Sequence, residues 1–351
     1  MKILFVLDDV ATEYERNSSV LMAHHMHNKG HEVFLSDVRA MTYQASGNMG
    51  AHAYVAPKKS YKTQEEYIQD IIGNIKKKEE PVILSSTELD VIFVRNDPSK
   101  QQGQQWAQTA GAVFGQVATQ EGVIVLNDPF TLSDSVNKMY FQQFPEDVRP
   151  RTVITRDPKE IKDFYQQQKK QGVVMKPLQG SGGQGVFLVN EKNEANLNSM
   201  IEANLRDGYI IVQEYLPEAA EGDIRLFMLN GQIFESDGKV AAMHRFNDTG
   251  DARSNVSAGG KIKKAKMTSA VRELAEKVRP KLVQDGVFLC GLDIAGKKLM
   301  ETNIFSPGGL TDINIMLEYD FAAPLTESIE RKVEYRRVYG NRLSNKLLNT
   351  L

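Results

Sequence analysis

Toward the C-terminal end of the chain, the apolar run Val287-Phe288-Leu289-Cys290-Gly291-Leu292 stops at Asp293. A Gly296-Lys297 pair follows, and Glu301 and Asn303 stand at alternate positions beyond it. The spacing predicts a hairpin whose returning strand turns Glu301 and Asn303 to the same side. Two carboxylates and an amide oxygen on neighbouring strands suit Mg²⁺, with Mn²⁺ as a substitute. Such ions take a few protein oxygens and complete their shell with water and substrate phosphates. A hairpin with a charged outer face shares the pattern. The apolar residues around Asp293 argue for burial, however, and a buried carboxylate needs a cation beside it.

A second group surrounds Lys176, which ends the apolar run Val173-Val174-Met175. Gly180, Gly182, Gly183 and Gly185 follow, and three of them match G-x-G-x-x-G. A dinucleotide-binding turn of that pattern opens a helix, whereas Val186-Phe187-Leu188-Val189 predicts a strand. The expected unit is therefore strand, glycine loop, strand. Its backbone N–H groups can approach phosphate oxygens with no Cβ in the way, and Lys176 adds a point charge. A glycine hairpin with a solvated lysine is the competing reading, and the loop alone does not separate the two.

Other stretches bear on the choice. In Gln213-Glu214-Tyr215-Leu216-Pro217 an apolar strand runs into polar groups and a proline, which suits an adenine-binding hinge or a simple linker. Asp223 and Arg225 alternate at the start of residues 222–229 and so share a strand face. Residues 236–260 are rich in Gly, Asp and Arg and contain Arg245, Arg253 and Asn255. They are expected to form a long loop that closes over phosphate or carboxylate, or else a disordered surface loop. Lys138 follows Asn137 in a segment that capping residues mark as helical.

The elements that must position these groups follow from apolar runs and breakers. Residues 3–7 are a continuous apolar run ending in Asp8-Asp9, as expected of a buried parallel strand whose end meets a ligand crevice. A helical stretch to Lys29, a stop at Gly30 and a strand at 32–35 complete a β-α-β unit. Residues 89–95 and 122–127 add strands, giving a four-stranded first domain that closes at Asp128-Pro129. Residues 46–62 show no clear period and are expected to be irregular. His24, His25, His27 and His31 have no acidic or cysteine partner at helical spacing, so they read as core or solvated side chains rather than a metal site. Lys261, Lys263, Lys264 and Lys266 read as a solvated edge. The whole predicts an α/β fold divided at 1–128, 129–208 (a small lid with the glycine loop) and 209–351 (a catalytic unit).

Composition sets the bounds. A chain of 351 residues suits two or three packed domains. A net charge of −2 supplies no global field for nucleic acid or an anionic membrane. The single cysteine, Cys290, has no disulfide partner, and no apolar stretch reaches membrane-spanning length. The expected setting is the cytoplasm.

Clamp lysine, hinge, arginine loop and acidic hairpin in this order resemble the ATP-grasp superfamily, and within it the prokaryotic glutathione synthetases. The resemblance runs from Ile3 to about Pro324. It is carried by Leu126-Asn127, Asn137-Lys138, Lys176-Pro177-Leu178, Gln213 to Pro217, Gly222-Asp223-Ile224-Arg225, residues 255–260, Gly291-Leu292-Asp293-Ile294 and Glu301-Thr302-Asn303. It implies an ATP-grasp architecture of three subdomains: a parallel-sheet N-terminal domain, and a nucleotide held between two α+β subdomains. The implied reaction joins γ-glutamylcysteine and glycine at the expense of ATP, through an acyl phosphate, in a homo-oligomer.

By the same resemblance, Lys138, Lys176 and the loop glycines contact ATP phosphates, and Gln213, Glu214, Tyr215 and Leu216 hold adenine. Asp223 belongs to the nucleotide side. Asp293, Glu301 and Asn303 match metal ligands, and Arg225, Arg245 and Arg253 match arginines that bind substrate or close the loop. Two segments depart from the family. Its pattern Arg-Lys-Asp-Pro-Pro-Phe-Asp is Arg95-Asn96-Asp97-Pro98-Ser99-Lys100-Gln101 here, and Ser-Pro-Thr is Ser306-Pro307-Gly308. Both are expected to meet the peptide substrate. A ligase for another carboxylate–amine pair therefore stays open; a nucleotide-binding regulatory protein without turnover is a further alternative, against which the intact Asp293, Glu301 and Asn303 argue.

Overall fold

The computed structural model describes residues 1–101, 103–178, 185–206, 208–247 and 260–351. Three sheets organise it. The first contains β1 (Lys2–Leu7), β2 (Glu32–Asp37), β3 (Met41–Tyr43), β4 (Met49–Val55), β5 (Val82–Ser85), β6 (Val91–Val94) and β7 (Ile124–Leu126). Its order is β3-β4-β2-β1-β6-β7, with β5 also on β4, and the pairs β2-β1, β1-β6 and β6-β7 are parallel.

Successive side chains of β1 sort onto opposite faces, as a strand requires. Ile3, Phe5 and Leu7 pack with Val20, Leu21 and Met22 of helix α1 (Ser18–Asn28) and with α2 (Gln64–Lys76). Leu4 and Val6 pack in the core that holds Ala110, Ala112 and Ala118 of α3 (Gln105–Gln120). Both faces are covered, so β1 and β6 read as unbroken apolar runs.

Two expectations for this domain are corrected. The sheet has seven strands instead of four, and residues 46–62 are irregular only outside β4, which lies within them. The buried positions of β4 include Gly50, Ala51 and Ala53. Small residues give the alternation no large apolar partner to reveal it. At Gly50 a Cβ would fall 2.6 Å from the Leu84 carbonyl, so the close pairing with β5 depends on that glycine.

After the short α4 (Pro129–Asp134) comes the second sheet: β8 (Thr152–Thr155), β9 (Val173–Pro177), β10 (Phe187–Val189) and β11 (Ile210–Glu214), in the antiparallel order β10-β9-β11-β8. Helices α5 (Pro158–Gln167) and α6 (Leu197–Leu205) cover it over a core that includes Ile161, Tyr165, Met175, Ile201 and Val212. The strand, loop, strand reading around Lys176 holds at both ends, since β9 and β10 pair as a hairpin. The expected boundary at 208/209 does not hold. It would detach β11, which lies between β9 and β8 and is needed to complete their ladders.

The third sheet has β12 (Asp223–Leu229), β13 (Gln232–Ile233), β16 (Ala242–Phe246), β17 (Lys261–Lys264), β18 (Leu289–Ala295) and β19 (Lys298–Asn303), ordered β17-β16-β12-β18-β19 with β13 on β12. The small hairpin of β14 (Glu235–Ser236) and β15 (Lys239–Val240) stands beside it. The expected long loop at 236–260 is thus replaced over its first part by β15 and β16, and Arg245 lies on a strand. Helices α7 (Ser269–Gln284), α8 (Leu310–Leu317), α9 (Ala322–Tyr339) and α10 (Asn345–Thr350) complete the chain. No helix among the described residues is long and apolar enough to cross a membrane.

Asn127 ties the first sheet to the third. Its Oδ1 accepts from the N–H groups of Phe288 and Leu289 at 2.7 and 2.8 Å, and its amide donates to the carbonyls of Leu289 and Ile304. One buried side chain therefore grips both the entry to β18 and the exit from β19.

Candidate functional site

The acidic hairpin forms as expected. β18 and β19 pair antiparallel with Asp293 opposite Glu301 and Gly291 opposite Asn303. β12 runs along the other edge of β18 and sets Arg225 opposite Asp293, while β16 sets Arg245 opposite Asp223. Asp223 and Arg225 do share the buried face of β12. These three pairings assemble a chain of alternating charge. Arg225 grips Asp293 with two bonds, Nε to Oδ1 at 2.5 Å and Nη2 to Oδ2 at 2.9 Å. Arg245 reaches Asp293 Oδ2 at 2.9 Å and also binds Asp223 through Nε at 3.0 Å and through Nη2. Asn303 donates to Asp293 Oδ2 at 3.2 Å.

Burial alone would favour neutral groups here. The opposite charges overcome it: Arg225 and Arg245 hold the Asp293 carboxyl below its ordinary range, and Asp293 and Asp223 hold Arg245 above its own. Space for the guanidinium comes from Gly291, where a Cβ would lie 2.9 Å from Arg225 Cδ. The expectation that Asp293 needs a cation is met by two arginines. Asp223 is likewise committed to Arg245, behind the nucleotide side to which the resemblance assigned it.

Glu301 and Asn303 reach open space. They line a cavity of about 130 Å³ together with Lys138, Leu178, Asp97, Ser99 and Ser306, among others. Lys138 Nζ lies 3.6 Å from Glu301 Oε1, a loose pair whose carboxylate is 41% exposed. The oxygen donors present, Glu301 and the Asn303 amide with Asp293 behind it, fit a hard divalent cation. The Asp293 charge is already balanced, so Glu301 supplies the free anionic charge.

Lys176 projects from β9 beside β11, where it lies opposite Ile211 and donates to Gln213 Oε1 at 3.2 Å. Desolvation lowers its pKa to about 8; Glu301 opposes that shift and the like charge of Lys138 adds to it. The three groups thus share one field. The hinge leaves β11 with both backbone groups of Tyr215 engaged: its N–H donates to Gly172 O at 3.0 Å and its carbonyl accepts from Gln171 at 2.7 Å. Glu214 accepts from the Arg151 N–H at 2.9 Å. Gly185, the described glycine of the clamp, has φ +69° and packs against Pro177. Gly180, Gly182, Gly183, Arg253 and Asn255 lie outside the described residues.

The two departing segments touch. Arg95, fully buried, donates to Ser19 Oγ at 3.1 Å, Phe305 O at 3.4 Å and Pro307 O at 3.1 Å, and Arg225 Nη1 donates to Gly308 O at 3.0 Å. Sequence reasoning missed Asn127 as the side chain that sets the hairpin. Its signal was an apolar strand ending in Asn before Asp128-Pro129.

The family model described as prokaryotic glutathione synthetase, ATP-grasp domain, matches residues 137–318, and the one for the N-terminal domain of the same enzymes matches residues 1–132. The chain belongs to the prokaryotic glutathione synthetase family. Glutathione synthetase of Gloeobacter violaceus is 31% identical over 344 residues, 96% of this chain and 98% of the relative. That of Brucella melitensis is 31% identical over 275 residues, 78% and 83% of the two chains. Among solved structures, a D-cycloserine synthetase matches with a TM-score of 0.62 at 13% identity, covering 93% of this chain and all of that one. An ATP-grasp ligase complexed with minimal precursor, Mg and ADP matches at 0.56 and 15%, covering 95% and 98%. These two show the ATP-grasp fold. Family membership makes the chain an ATP-dependent ligase of the glutathione-forming class, which works with a divalent metal.

Proposed function

We propose that the cavity between the first sheet and the β18-β19 hairpin is where ATP phosphorylates the cysteinyl carboxylate of γ-glutamylcysteine and the glycine amine then displaces phosphate, giving glutathione, ADP and phosphate. The observation that carries this reading is the shared wall: Lys138, Glu301 and Asn303 line one cavity with Asp97, Ser99 and Ser306 of the segments expected to meet peptide. Lys138 and Lys176 attract the transferring phosphates. Gln213 to Leu216 receive adenine; Leu216, half-buried, has an N–H with no hydrogen bond among the described residues, free for a ring nitrogen.

Glu301 and Asn303, with Asp293 behind them, would hold Mg²⁺ or, in its place, Mn²⁺, which would supply neutralisation of phosphate charge. By resemblance Arg225 and Arg245 are assigned to substrate binding; buried and paired with Asp293 and Asp223, they fix the strands behind the cavity wall. Arg253 is assigned to loop closure by resemblance. No covalent enzyme intermediate is required; rate comes from alignment and electrostatics. The setting is a cytoplasmic homo-oligomer acting on small molecules.

The test is phosphate release from ATP and Mg²⁺ with γ-glutamylcysteine and glycine together and each omitted in turn, the product being identified by mass. Release that needs both and yields glutathione is expected. Release with neither substrate, or a product other than glutathione, refutes the assignment.

A further inference from the structure

The matched family domains end at residue 318, and α9 and α10 follow them. The ligation steps use neither helix, yet both close onto the strand from which Asn127 emerges. Among the described residues β7 is the last strand of the first sheet, paired along one side with β6. The outer side of such a strand presents bare N–H and C=O groups, which a fold must pair or cover.

Helix α10 pairs them with side chains. Asn345 Oδ1 accepts from the Val125 N–H at 2.9 Å, and its Nδ2 donates to the Val125 carbonyl at 2.9 Å and to Asp128 Oδ2 at 3.1 Å. One primary amide thus takes both backbone groups of a single residue, as a neighbouring strand does. Asn349, fully buried, adds a donor to the Val125 carbonyl at 2.9 Å. Asp128 in turn caps α4, its Oδ1 accepting from the Thr131 N–H at 3.4 Å. The chain is therefore held on both sides of Asn127.

The same helix abuts the other element that Asn127 grips. Gly286 has φ +66°, and a Cβ there would lie 2.7 Å from Lys346 Cα. Its carbonyl accepts from the Asp128 N–H at 3.1 Å, and two residues on, the Phe288 N–H donates to Asn127 Oδ1. A six-residue helix does not hold itself together. Here Ser344 caps it, accepting from the Leu347 N–H at 3.2 Å, and Leu348 is buried in the core that holds Ile124, Leu126 and Phe288. Lys332 of α9 donates to the carbonyls of Leu348 and Leu351 at 2.8 and 2.7 Å.

Resting on the ligation reading above, we infer that Asn345 is a positioning residue for the reaction. Held by α10, it fixes Val125 and Asp128, and through Asn127 between them it sets the β18-β19 hairpin that carries Glu301 and Asn303. Asn127 bonds the backbone at Phe288, Leu289 and Ile304, so a tilt of residues 125–128 displaces both ends of the hairpin together. A displacement of about 1 Å at a positioning group is enough to cost rate.

The experiment is hydrogen–deuterium exchange of the full chain. Peptides covering residues 287–292 and 299–305 report the hairpin, and residues 173–177 and 210–214 of the second sheet are the reference. Asn345→Ala removes the pairing. Asn345→Asp keeps the size and the oxygen facing the Val125 N–H but loses both amide donors, and it serves where the alanine variant does not fold. Either is expected to speed hairpin exchange about 5- to 30-fold, the factor for one or two net hydrogen bonds, with the reference changed less than about threefold. A non-hydrolysable ATP analogue is then titrated calorimetrically into each chain. Binding is expected to weaken about 3- to 10-fold with Mg²⁺ present and to stay unchanged in EDTA. Equal acceleration in all peptides, as a merely structural role gives, or acceleration confined to residues 124–128 overturns the inference. So does an affinity that is unchanged with Mg²⁺ or lost equally in EDTA. If the wild-type chain itself gains no affinity from Mg²⁺, the reading of the cavity fails and the exchange pattern alone decides the inference.

Discussion

Asp293 and Glu301 face each other across one hairpin, yet their surroundings predict opposite consequences for removing either charge. Asp293 is 4% exposed and bonds two guanidiniums. Asp293→Asn leaves Arg225 with no carboxylate among the described residues and Arg245 with Asp223 alone. Removing one partner of a buried ion pair costs about 3–5 kcal/mol, because the remaining charge stays desolvated. Glu301 is 41% exposed and meets Lys138 at 3.6 Å, a pair worth about 1 kcal/mol or less. Glu301→Gln should therefore leave stability nearly unchanged while removing the anionic oxygen that reaches the cavity.

The assay is urea unfolding of the wild type and both variants, paired with turnover across a Mg²⁺ titration. Asp293→Asn should lower the urea midpoint at unchanged slope. Glu301→Gln should keep the midpoint and demand far more Mg²⁺ for half-maximal turnover, with nucleotide affinity changed less. Unchanged stability in Asp293→Asn would refute the buried network as its function. A normal Mg²⁺ requirement in Glu301→Gln would sink the metal assignment.

Two further outcomes follow from desolvated lysines. Lys176 has its pKa lowered to about 8, so its ammonium is lost as pH rises through that value. ATP affinity should fall above pH 8 in the wild type and stay level over the same range in Lys176→Arg, whose guanidinium does not titrate there; parallel curves would exclude Lys176 from phosphate binding. Lys332 of α9 is fully buried, donates to Asn230 Oδ1 and the carbonyls of Leu348 and Leu351 at 2.7–2.8 Å, and has its pKa lowered to about 7, first by burial and then by Arg331. Below about pH 7 both folded and unfolded chains hold this proton, and the burial cost is present in full. Between about 7 and 10 only the unfolded chain holds it, so wild-type stability should rise relative to Lys332→Met by up to about 1.4 kcal/mol per pH unit. A difference that stays constant with pH by chemical denaturation would show that Lys332 is not buried as a strained cation.

How far the sequence could be read depends on whether an element announces itself locally. The β18-β19 hairpin was legible because an apolar run stops at Asp293 and alternate polar positions return after a glycine turn. The Asp223 and Arg225 alternation likewise marks one face of β12 without outside help. β4 was not legible, because Gly50, Ala51 and Ala53 bury little apolar surface and leave no period of two to see. Arg245 was misplaced onto a loop because the Gly, Asp and Arg content beyond Phe246 was extended back over a strand whose buried side chains are Ala242, Met243 and Arg245 itself. The meaning of Asp293 lay furthest from view.

Local pattern says that a buried carboxylate needs a cation, and an external metal is the nearest candidate when no basic residue neighbours it in sequence. The arginines come from 68 residues and from two strands away, brought in only when β16, β12 and β18 pair in that order. That order also explains why the hairpin can be charged and rigid at once. With Asp293 neutralised from behind and Asn127 gripping both ends of the hairpin, Glu301 and Asn303 present fixed oxygens to the cavity without carrying the electrostatic cost of the strand that supports them.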